Sequence, residues 1–275
     1  MALTVGIYGA TGQVGGVMRD VLVARGFPFT RLRLFASARS AGRSLGGVRV
    51  EDVATADHGG VDLALFSMGG AASRQFGERV ARAGTIVVDN SAAWRMDPGV
   101  PLVVSEVNPA ALDGMARGIV ANPNCTTMVA MPALKALHDE AGLVAVVAAT
   151  YQATSGAGRA GVAELRSQVA AVGDRAGDLV YDGGALEWPP ASVFPGPVAF
   201  NVIPQAGAFD GDDTVEELKF ANESRKILDL AGLAVSVTCV RVPVYTGHSI
   251  ALHATFERPI SPERAIEVLR GAPGV

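Results

Sequence analysis

The stretch LTVGIYGATGQVG, residues 3–15, opens the chain with two successive patterns. Its first six residues form a short apolar run, which predicts a β-strand. The glycines that follow, Gly9, Gly12 and Gly15, stand at three-residue intervals and predict a tight loop. An amphipathic pattern over residues 16–24 then predicts a helix. Strand, glycine loop and helix in this order are typical of the first unit of a parallel sheet.

Short apolar runs continue this alternation through the first half of the chain. They cover residues 31–35, 63–67, 85–89 and 102–104, with helical patterns between several of them. Strands that alternate with helices favour a sheet with helices on both faces. The sequence therefore predicts a doubly wound α/β domain over residues 1–124.

The second half has longer strand-like runs and predicts an α+β domain over residues 125–275. Strand patterns cover residues 143–152, 234–243 and 249–257, and together they indicate an antiparallel or mixed sheet. Helical patterns cover residues 126–138, 215–230 and 262–270. The stretch of residues 183–207, rich in Gly and Pro, is too long for a simple connection, and we expect a surface excursion or a subunit contact there.

Composition narrows the class of partner. The 275 residues are 49% hydrophobic and 18% charged, with a net charge of -4, so no basic field indicates binding to nucleic acid or to an anionic membrane. A small-molecule partner is the better expectation. Two cysteines are too few for a disulfide framework and fit a reducing compartment, and the N-terminus has no signal-peptide pattern. We expect a cytoplasmic protein without a metal site.

The glycine loop predicts a dinucleotide site, because bare backbone there can approach a pyrophosphate at a helix N-terminus. A tight turn without a ligand is the alternative interpretation. The second strand pattern ends with Ser37, Arg39 and Ser40 instead of the acidic residue that usually binds the ribose hydroxyl of NAD. A cation between two hydroxyls favours the 2′-phosphate of NADP, although Arg39 is also compatible with a solvated loop, and Arg43 either assists or is solvated.

Cys125 is the candidate nucleophile. It follows Asn124 in NPNCTT and precedes an apolar helix, whose N-terminal dipole and N–H groups favour a thiolate. Cys239, inside a strand pattern, is instead expected to be a buried structural thiol. His248 lies in a predicted turn between two strands and is the best candidate base for Cys125, whereas His58 is expected at the surface.

Seven motifs together resemble the aspartate-semialdehyde dehydrogenase family: GATGQVG, SARS, NSAAWRMDP, NPNCTT, YQATSGAG, VEELK and RVPVYTGHS. They occur in the order and at about the spacing of that family, across nearly the whole chain. The resemblance implies a Rossmann-type cofactor domain and a C-terminal catalytic and dimerisation domain. It also implies a homodimer or homotetramer.

The resemblance further implies a role for each matching residue. Cys125 is similar to the family's nucleophile, His248 to its acid/base residue and Gln152 to the glutamine that orients the thioacyl intermediate. The substrate-binding residues implied in this way are Arg95, Asn124, Glu216, Lys219 and Arg241. The cofactor-binding residues are Gly9, Thr11, Gly12, Gln13, Val14, Gly15, Ser37, Arg39, Ser40, Ser67, Gly69, Ser155 and Gly156.

The implied reaction is the NADPH-dependent reductive dephosphorylation of L-aspartyl 4-phosphate to L-aspartate 4-semialdehyde, a step toward lysine, threonine and methionine. A sister reductase acting on an acyl phosphate such as N-acetyl-glutamyl phosphate is an alternative. Glu216 disfavours it, because an acetylated nitrogen carries no charge to pair with. A catalytically dead NADP-binding fragment is a second alternative, and a Cys-His hydrolase a third, although a hydrolase needs no glycine loop.

Several of these residues also have a purely structural interpretation. Glu216 and Lys219 lie on an amphipathic helical pattern, where charges usually form a solvated face. Arg241 stands in an apolar strand and is either solvated or a buried carboxylate anchor. Two departures from the family are Gln205, where many members have histidine, and a chain that stops at Val275, where members continue. We therefore expect the second domain to be incomplete.

Overall fold

The computed structural model describes residues 3–275 and divides them into two compact units. The first unit comprises the described residues up to Met131 together with Lys226–Leu230, and the second comprises Pro132–Arg225 and Ala231–Val275. The division falls inside a helix that begins at Cys125, whereas the sequence predicted a boundary directly before that helix. Two helices, Cys125–Ala141 and Val215–Leu228, therefore contribute residues to both units.

A seven-stranded sheet forms the first unit, in the order β3-β4-β2-β1-β5-β6-β7. Its strands are β1 (Thr4–Tyr8), β2 (Arg31–Ala36), β3 (Ser44–Leu45), β4 (Val48–Asp52), β5 (Leu63–Phe66), β6 (Ile86–Asp89) and β7 (Ile119–Ala121). All pairs are parallel except β3 with β4. This confirms the predicted α/β sheet, and its core lies on β1, where Val5, Ile7 and Tyr8 are fully buried.

Two expectations for this unit were wrong in detail. Residues 102–104 form no strand: Leu102 makes only an isolated bridge to Ala121, and the chain then turns away at Val104. Helix α1 (Gln13–Ala24) begins three residues before the predicted start, because Gly12 is its N-cap. Gly15 and Gly16 therefore lie inside the helix, and α2 (Gly70–Arg82) follows β5 in the same way.

The second unit contains a three-stranded mixed sheet in the order β11-β8-β12. Its strands are β8 (Leu143–Gln152), β11 (Ala234–Arg241) and β12 (His248–Phe256), and a separate short pair is formed by β9 (Phe209–Asp210) and β10 (Asp213–Thr214). The helices are α3 (Cys125–Ala141), α4 (Gly158–Val172), α5 (Val215–Leu228) and α6 (Pro262–Arg270). β8 is parallel to β11 and antiparallel to β12, which confirms the predicted mixed sheet.

The long stretch of residues 183–207 contains neither helix nor strand, as expected from its glycines and prolines. Two buried side chains of α4 hold it. The Glu164 carboxylate accepts hydrogen bonds from the backbone N–H groups of Ser192 and Val193, and the Gln168 Oε1 accepts from those of Val198 and Ala199. Side chains thus replace the ladder that a strand would provide for this irregular backbone.

Candidate active site

The glycine loop lies at the carboxyl end of β1 and is closed by backbone contacts. The Gly9 N–H and the Ala10 N–H both donate to the Phe35 carbonyl, at 2.8 and 3.1 Å. Gly9 has a φ of +89°, and a Cβ there would lie 2.8 Å from the Ser67 carbonyl carbon. A Cβ at Gly15 would collide with the Gly9 carbonyl oxygen. These positions admit only glycine, and this leaves the loop backbone bare at the start of α1.

The N-terminus of α1 has the features of an anion site. Its N-cap Gly12 makes no side-chain capping bond, and its first turn carries no acidic residue. Gln13 and Val14 occupy that first turn. Gly69 caps α2 with a φ of +83° and no side-chain bond. Uncapped N–H groups and a positive helix end favour a phosphate at this edge of the sheet.

The turn after β2 lies next to this loop. The Ser40 N–H donates to the Ser37 carbonyl at 2.8 Å, and the Thr11 hydroxyl lies 3.4 Å from the Ser40 hydroxyl. Arg39 is exposed between the two serines. The structure therefore places the turn that carries Ser37, Arg39 and Ser40 beside the glycine loop.

Cys125 is the first residue of α3 and is exposed. Asn124, which is buried, precedes it: the Asn124 Oδ1 accepts hydrogen bonds from the Thr126 N–H and hydroxyl, at 3.0 and 2.6 Å, and lies 4.0 Å from the Cys125 Sγ. The thiol is thus held where the helix dipole favours negative charge.

The Arg95 side chain is buried against the backbone near Cys125. Its Nε donates to the Asn122 carbonyl at 2.9 Å, and one Nη donates to the Asn90 carbonyl at 3.0 Å. The Lys226 ammonium, which also belongs to the first unit, donates to the carbonyls of Arg95, Asp97 and Val100 at 2.8 to 2.9 Å. The loop that carries Arg95 is therefore held by hydrogen bonds from the Arg95 side chain and by hydrogen bonds to its own backbone carbonyls.

In the second unit, three predicted site residues share one rung of the sheet. Gln152, the last residue of β8, pairs with Arg241 on β11 and with His248 on β12. Partners on one rung present their side chains to the same face, a few ångströms apart. Gln152 and Arg241 are buried on that face, and the Gln152 Oε1 accepts from the Thr150 hydroxyl at 2.9 Å. The sheet register thus assembles this half of the site.

Ala153, which lies in the motif YQATSGAG but received no role there, holds two of these side chains with its backbone. Its N–H donates to the His248 Nδ1 at 3.0 Å, and its carbonyl accepts from an Arg241 Nη at 2.6 Å. The His248 Nδ1 also lies 3.0 Å from the Gly247 carbonyl, toward which it donates when the ring is protonated. The bond from Ala153 therefore selects the neutral tautomer with its proton on Nε2.

The Arg241 guanidinium packs against an aromatic ring and beside a glycine. It lies over the Phe194 ring, 5.6 Å from the centroid, and Phe194 is itself buried at the end of the segment that Glu164 holds. A Cβ at Gly156 would lie 3.1 Å from an Arg241 Nη and 3.6 Å from the His248 Nε2. Gly156 thus keeps the space beside both groups open. The interpretation of Arg241 as a solvated residue is wrong, since it is 7% exposed, and its role as a carboxylate anchor stays a prediction.

Helix α5 presents the remaining predicted substrate residues. Glu216 and Lys219 form an ion pair, with side chains that are 16% and 27% exposed. A freely solvated helix face would leave both side chains more exposed, so the solvated alternative does not describe this turn of α5.

Ser155 lies two residues after Ala153 in a short 3-10 turn, Thr154–Ala157, where it donates its N–H to the Tyr245 carbonyl.

The comparisons with known proteins agree with this geometry. A family model described as the NAD-binding domain of semialdehyde dehydrogenase matches residues 4–115, and one described as the semialdehyde dehydrogenase dimerisation domain matches residues 134–275. An aspartate-semialdehyde dehydrogenase from Streptomyces akiyoshiensis is 59% identical over 99% of this chain and 82% of its own. The chain belongs to the aspartate-semialdehyde dehydrogenase family.

Other members of the aspartate-semialdehyde dehydrogenase family extend the likeness. The enzyme from Aquifex aeolicus is 44% identical over the whole of this chain and 80% of its own. The crystal structure of aspartate semialdehyde dehydrogenase II from Vibrio cholerae, complexed with ASA, has a TM-score of 0.90 and 40% identity. It covers all of this chain and 80% of its own. Within residues 3–275, no helix has the length and apolarity needed to cross a bilayer.

Two thiol and histidine expectations are settled by burial. Cys239 is fully buried in β11, as predicted. The expectation of a surface His58 was wrong: it is 4% exposed, and its Nδ1 lies 3.1 Å from the Tyr8 hydroxyl. Burial lowers the pKa of His58, with Arg79 and Arg33 acting in the same direction. The two glycines after His58 suggested an exposed loop, but the imidazole packs inward among the aromatic rings of β1 and β2.

We predict that the pKa of His248 lies below 6.5 in the folded protein. Burial lowers it most, and Arg241 lowers it further, against opposing effects of the Gly247 carbonyl and Glu216. Removing one charge at a time therefore shifts the pKa in opposite directions: upward in Arg241→Gln and further downward in Glu216→Gln. NMR titration of ¹³C-labelled histidines measures these values.

A His253→Asn variant removes the signal of the other histidine on β12, and this helps to assign the signal of His248. Since the folded value is below the unfolded one, the unfolded state binds more protons, and His248 reduces stability as the pH falls through 6.5 and below. A wild-type value above 6.5, or shifts of the same sign in both charge variants, contradicts this electrostatic account.

Proposed function

We propose that this chain catalyses the reductive dephosphorylation of L-aspartyl 4-phosphate to L-aspartate 4-semialdehyde and phosphate, with NADPH as the reductant. The observation that carries the proposal is the rung of Arg241, Gln152 and His248, three residue types that suit a carboxylate, an acyl oxygen and a proton transfer. Family membership supports the same reaction. The names of the relatives and the V. cholerae complex with ASA point to this substrate.

In this proposal, the Cys125 thiolate attacks the acyl carbon of the substrate. A carbon–sulfur bond forms, the bond from the carbon to the phosphate oxygen breaks, and inorganic phosphate leaves. Arg95, Asn124 and Lys219 bind the phosphate, because two cations and an amide offset the charge that develops on it. Gln152 orients the thioacyl oxygen with its carboxamide.

His248 transfers the proton in the second half of the reaction. In its doubly protonated form, whose Nδ1–H donates to the Gly247 carbonyl, His248 passes its Nε2 proton to the oxygen of the hemithioacetal as that oxygen gains charge, and a neutral ring remains. When the hemithioacetal collapses, the Nε2 of the neutral His248 takes back the hydroxyl proton, the carbon–sulfur bond breaks, the aldehyde forms and the Cys125 thiolate is released. Arg241 binds the α-carboxylate and Glu216 the α-ammonium group, which disfavours an N-acetylated substrate.

We propose NADP, in preference to NAD, as the cofactor. Gly9, Gly12 and Gly15 provide the bare backbone for the pyrophosphate, and Ser37, Arg39 and Ser40 hold the 2′-phosphate. Thr11, Gln13, Val14, Ser67, Gly69, Ser155 and Gly156 complete the proposed contacts. When bound, NADPH supplies the hydride that reduces the thioester carbon.

A homodimer, or a dimer of dimers, is the proposed assembly. The face of β8 opposite the site carries Val147 and Tyr151, which are 54% and 44% exposed although β8 is the central strand. Such a face on a domain of the dimerisation family favours pairing with a second copy. A Tyr151→Asp variant should then sediment as a smaller species than the wild type, and an unchanged sedimentation coefficient would remove this face as the interface. The cytoplasmic location stays a prediction.

We predict that Cys125→Ala abolishes the phosphate-dependent reduction of NADP by aspartate semialdehyde. No other described thiol is exposed, since Cys239 is buried. His248→Asn should lower the rate by roughly 10²–10⁴-fold, the usual effect of losing a general acid/base. NADPH absorbance measures both.

Cys239→Ala is the matched control, because it removes a thiol without removing the nucleophile. It should keep most of the turnover and lose about 1 kcal/mol of stability, a common effect of a small cavity. Activity that survives in Cys125→Ala, or mass-spectrometric detection of an acyl adduct on Cys239, would disprove the assignment.

We predict that Arg39→Ala weakens NADP by roughly 10-fold or more and leaves NAD nearly unchanged, because only NADP has the phosphate that a charge-assisted bond can recognise. Isothermal titration calorimetry with both cofactors measures the change. Arg31→Ala is the control, since Arg31 begins β2, at the end away from the turn that carries Arg39. Equal wild-type affinities for NADP and NAD would refute the cofactor preference.

A further inference from the structure

Glu217 is a buried carboxylate that connects helix α5 to strand β11. It is 9% exposed, and its two oxygens have different partners. Oε2 accepts a hydrogen bond from the Thr214 N–H at 2.6 Å, and Oε1 accepts one from the Cys239 N–H at 2.8 Å. One side chain thus contacts the start of α5 and the middle of β11.

The first contact is a capping box. Thr214 precedes α5, its hydroxyl accepts from the Glu217 N–H at 3.4 Å, and the Glu217 carboxylate returns a bond to the Thr214 N–H. This reciprocal pair satisfies backbone donors at a helix start and needs only one carboxylate oxygen. The bond to Cys239 is therefore additional to the cap.

The second contact completes the open edge of β11. In the described sheet, β8 lies on one side of β11. On the other side, Arg241 exchanges backbone bonds with Ile203, at 2.8 and 3.0 Å, and the Cys239 N–H bonds to Glu217. Glu217 thus occupies the place of a strand carbonyl, two residues before Arg241.

The ionised form of Glu217 suits this position. Burial alone raises its pKa, but bonds from the backbone N–H groups of Cys239 and Thr214 outweigh burial, so the pKa is lowered overall. A glutamine of the same size has one acceptor oxygen and directs its NH₂ group toward the second N–H. Glu217→Gln therefore keeps the shape and loses one of the two connections.

We propose that Glu217 is a positioning residue that sets the separation between Glu216 and Arg241, and thereby the preference for a substrate with an ammonium and a carboxylate on one carbon. This inference rests on the proposed function. Glu216 and Lys219 are on the helix that Glu217 caps, and Arg241 is on the strand that Glu217 contacts. The two charges of an α-amino acid are at a fixed separation, so a small helix displacement misaligns one of them.

The kinetic test compares Glu217→Gln with Thr214→Val. Glu217→Gln should raise the KM for aspartate semialdehyde by about 10-fold to 100-fold, the range for losing a hydrogen bond to a charged group, and leave the KM for NADP near its wild-type value. Thr214→Val removes the hydroxyl of the cap and leaves the bond to Cys239, so its KM should change by less than about 3-fold. Glu217→Asp keeps the charge on a shorter side chain and should fall between them.

A change in selectivity between two aldehydes distinguishes a positioning role from a general loss of stability. Succinate semialdehyde keeps the carboxylate and lacks the ammonium group. The ratio of kcat/KM for aspartate semialdehyde to that for succinate semialdehyde should fall about 10-fold in Glu217→Gln and stay constant in Thr214→Val. An equal increase of KM for substrate and cofactor, or the same result in both variants, would overturn the proposal.

Equilibrium binding separates this inference from the proposed reaction. In a Cys125→Ala background, which forms no covalent adduct, calorimetry compares the affinities for the two aldehydes with and without Glu217→Gln. If the wild-type chain shows no turnover, the proposed reaction is refuted. If Glu217→Gln nevertheless removes the preference for the aldehyde with the ammonium group, the positioning role is supported. Affinities that do not depend on the ammonium group, or that Glu217→Gln leaves unchanged, refute the positioning role. Circular dichroism confirms that each variant is folded.

Discussion

The pairing of β8 with its two neighbours is the constraint on which the recognition half of the site depends. Gln152 is the common partner of Arg241 and His248, so the three side chains share a rung only in this register. A slip of one residue on either side would turn one of them to the opposite face. The even-numbered positions of β8 from Val146 to Gln152 are all buried, so a slip would also expose this face and bury its neighbours. Core packing and site geometry are therefore one requirement.

The sequence predicts those helices and strands whose bounds depend on local hydrophobic periodicity and on local stop signals. The bounds of β8 and α6 agree with the prediction to the residue, because each has a clear periodicity and a clear stop, and Cys125 begins its helix as NPNCTT indicates. Ala153 and Phe194 were missed for a physical reason. Ala153 acts through its backbone and Phe194 through the face of a ring, and neither role depends on a residue type that a motif would reveal. His58 shows the same limit, since its environment is set by β1 and β2.

Charged side chains serve as partners for irregular backbone at several places in this fold. Glu164 accepts hydrogen bonds from backbone N–H groups of residues 183–207, and Glu217 accepts one from a backbone N–H of β11. Lys226 donates to three carbonyls of the loop that carries Arg95. An ion is expensive to bury, but several charge-assisted bonds to backbone offset that cost, and they fix a loop with a precision that apolar contact lacks. Each of these loops or strands carries or supports a proposed substrate contact: Phe194 under Arg241, Arg241 itself, and Arg95.

The surroundings of His248 suit a residue that must both donate and accept a proton. The neutral ring, which burial favours, is fixed with Nδ1 on the Ala153 N–H and its proton on Nε2. If this neutral ring donated its proton it would become an anion, which is unattainable at ordinary pH, so a second proton must first bind to Nδ1. The Gly247 carbonyl, 3.0 Å from Nδ1, provides the acceptor for a ring protonated on both nitrogens. A small rotation between these two backbone groups therefore lets His248 alternate between the neutral and charged forms, and the nearby Glu216 stabilises the charged form that Arg241 disfavours.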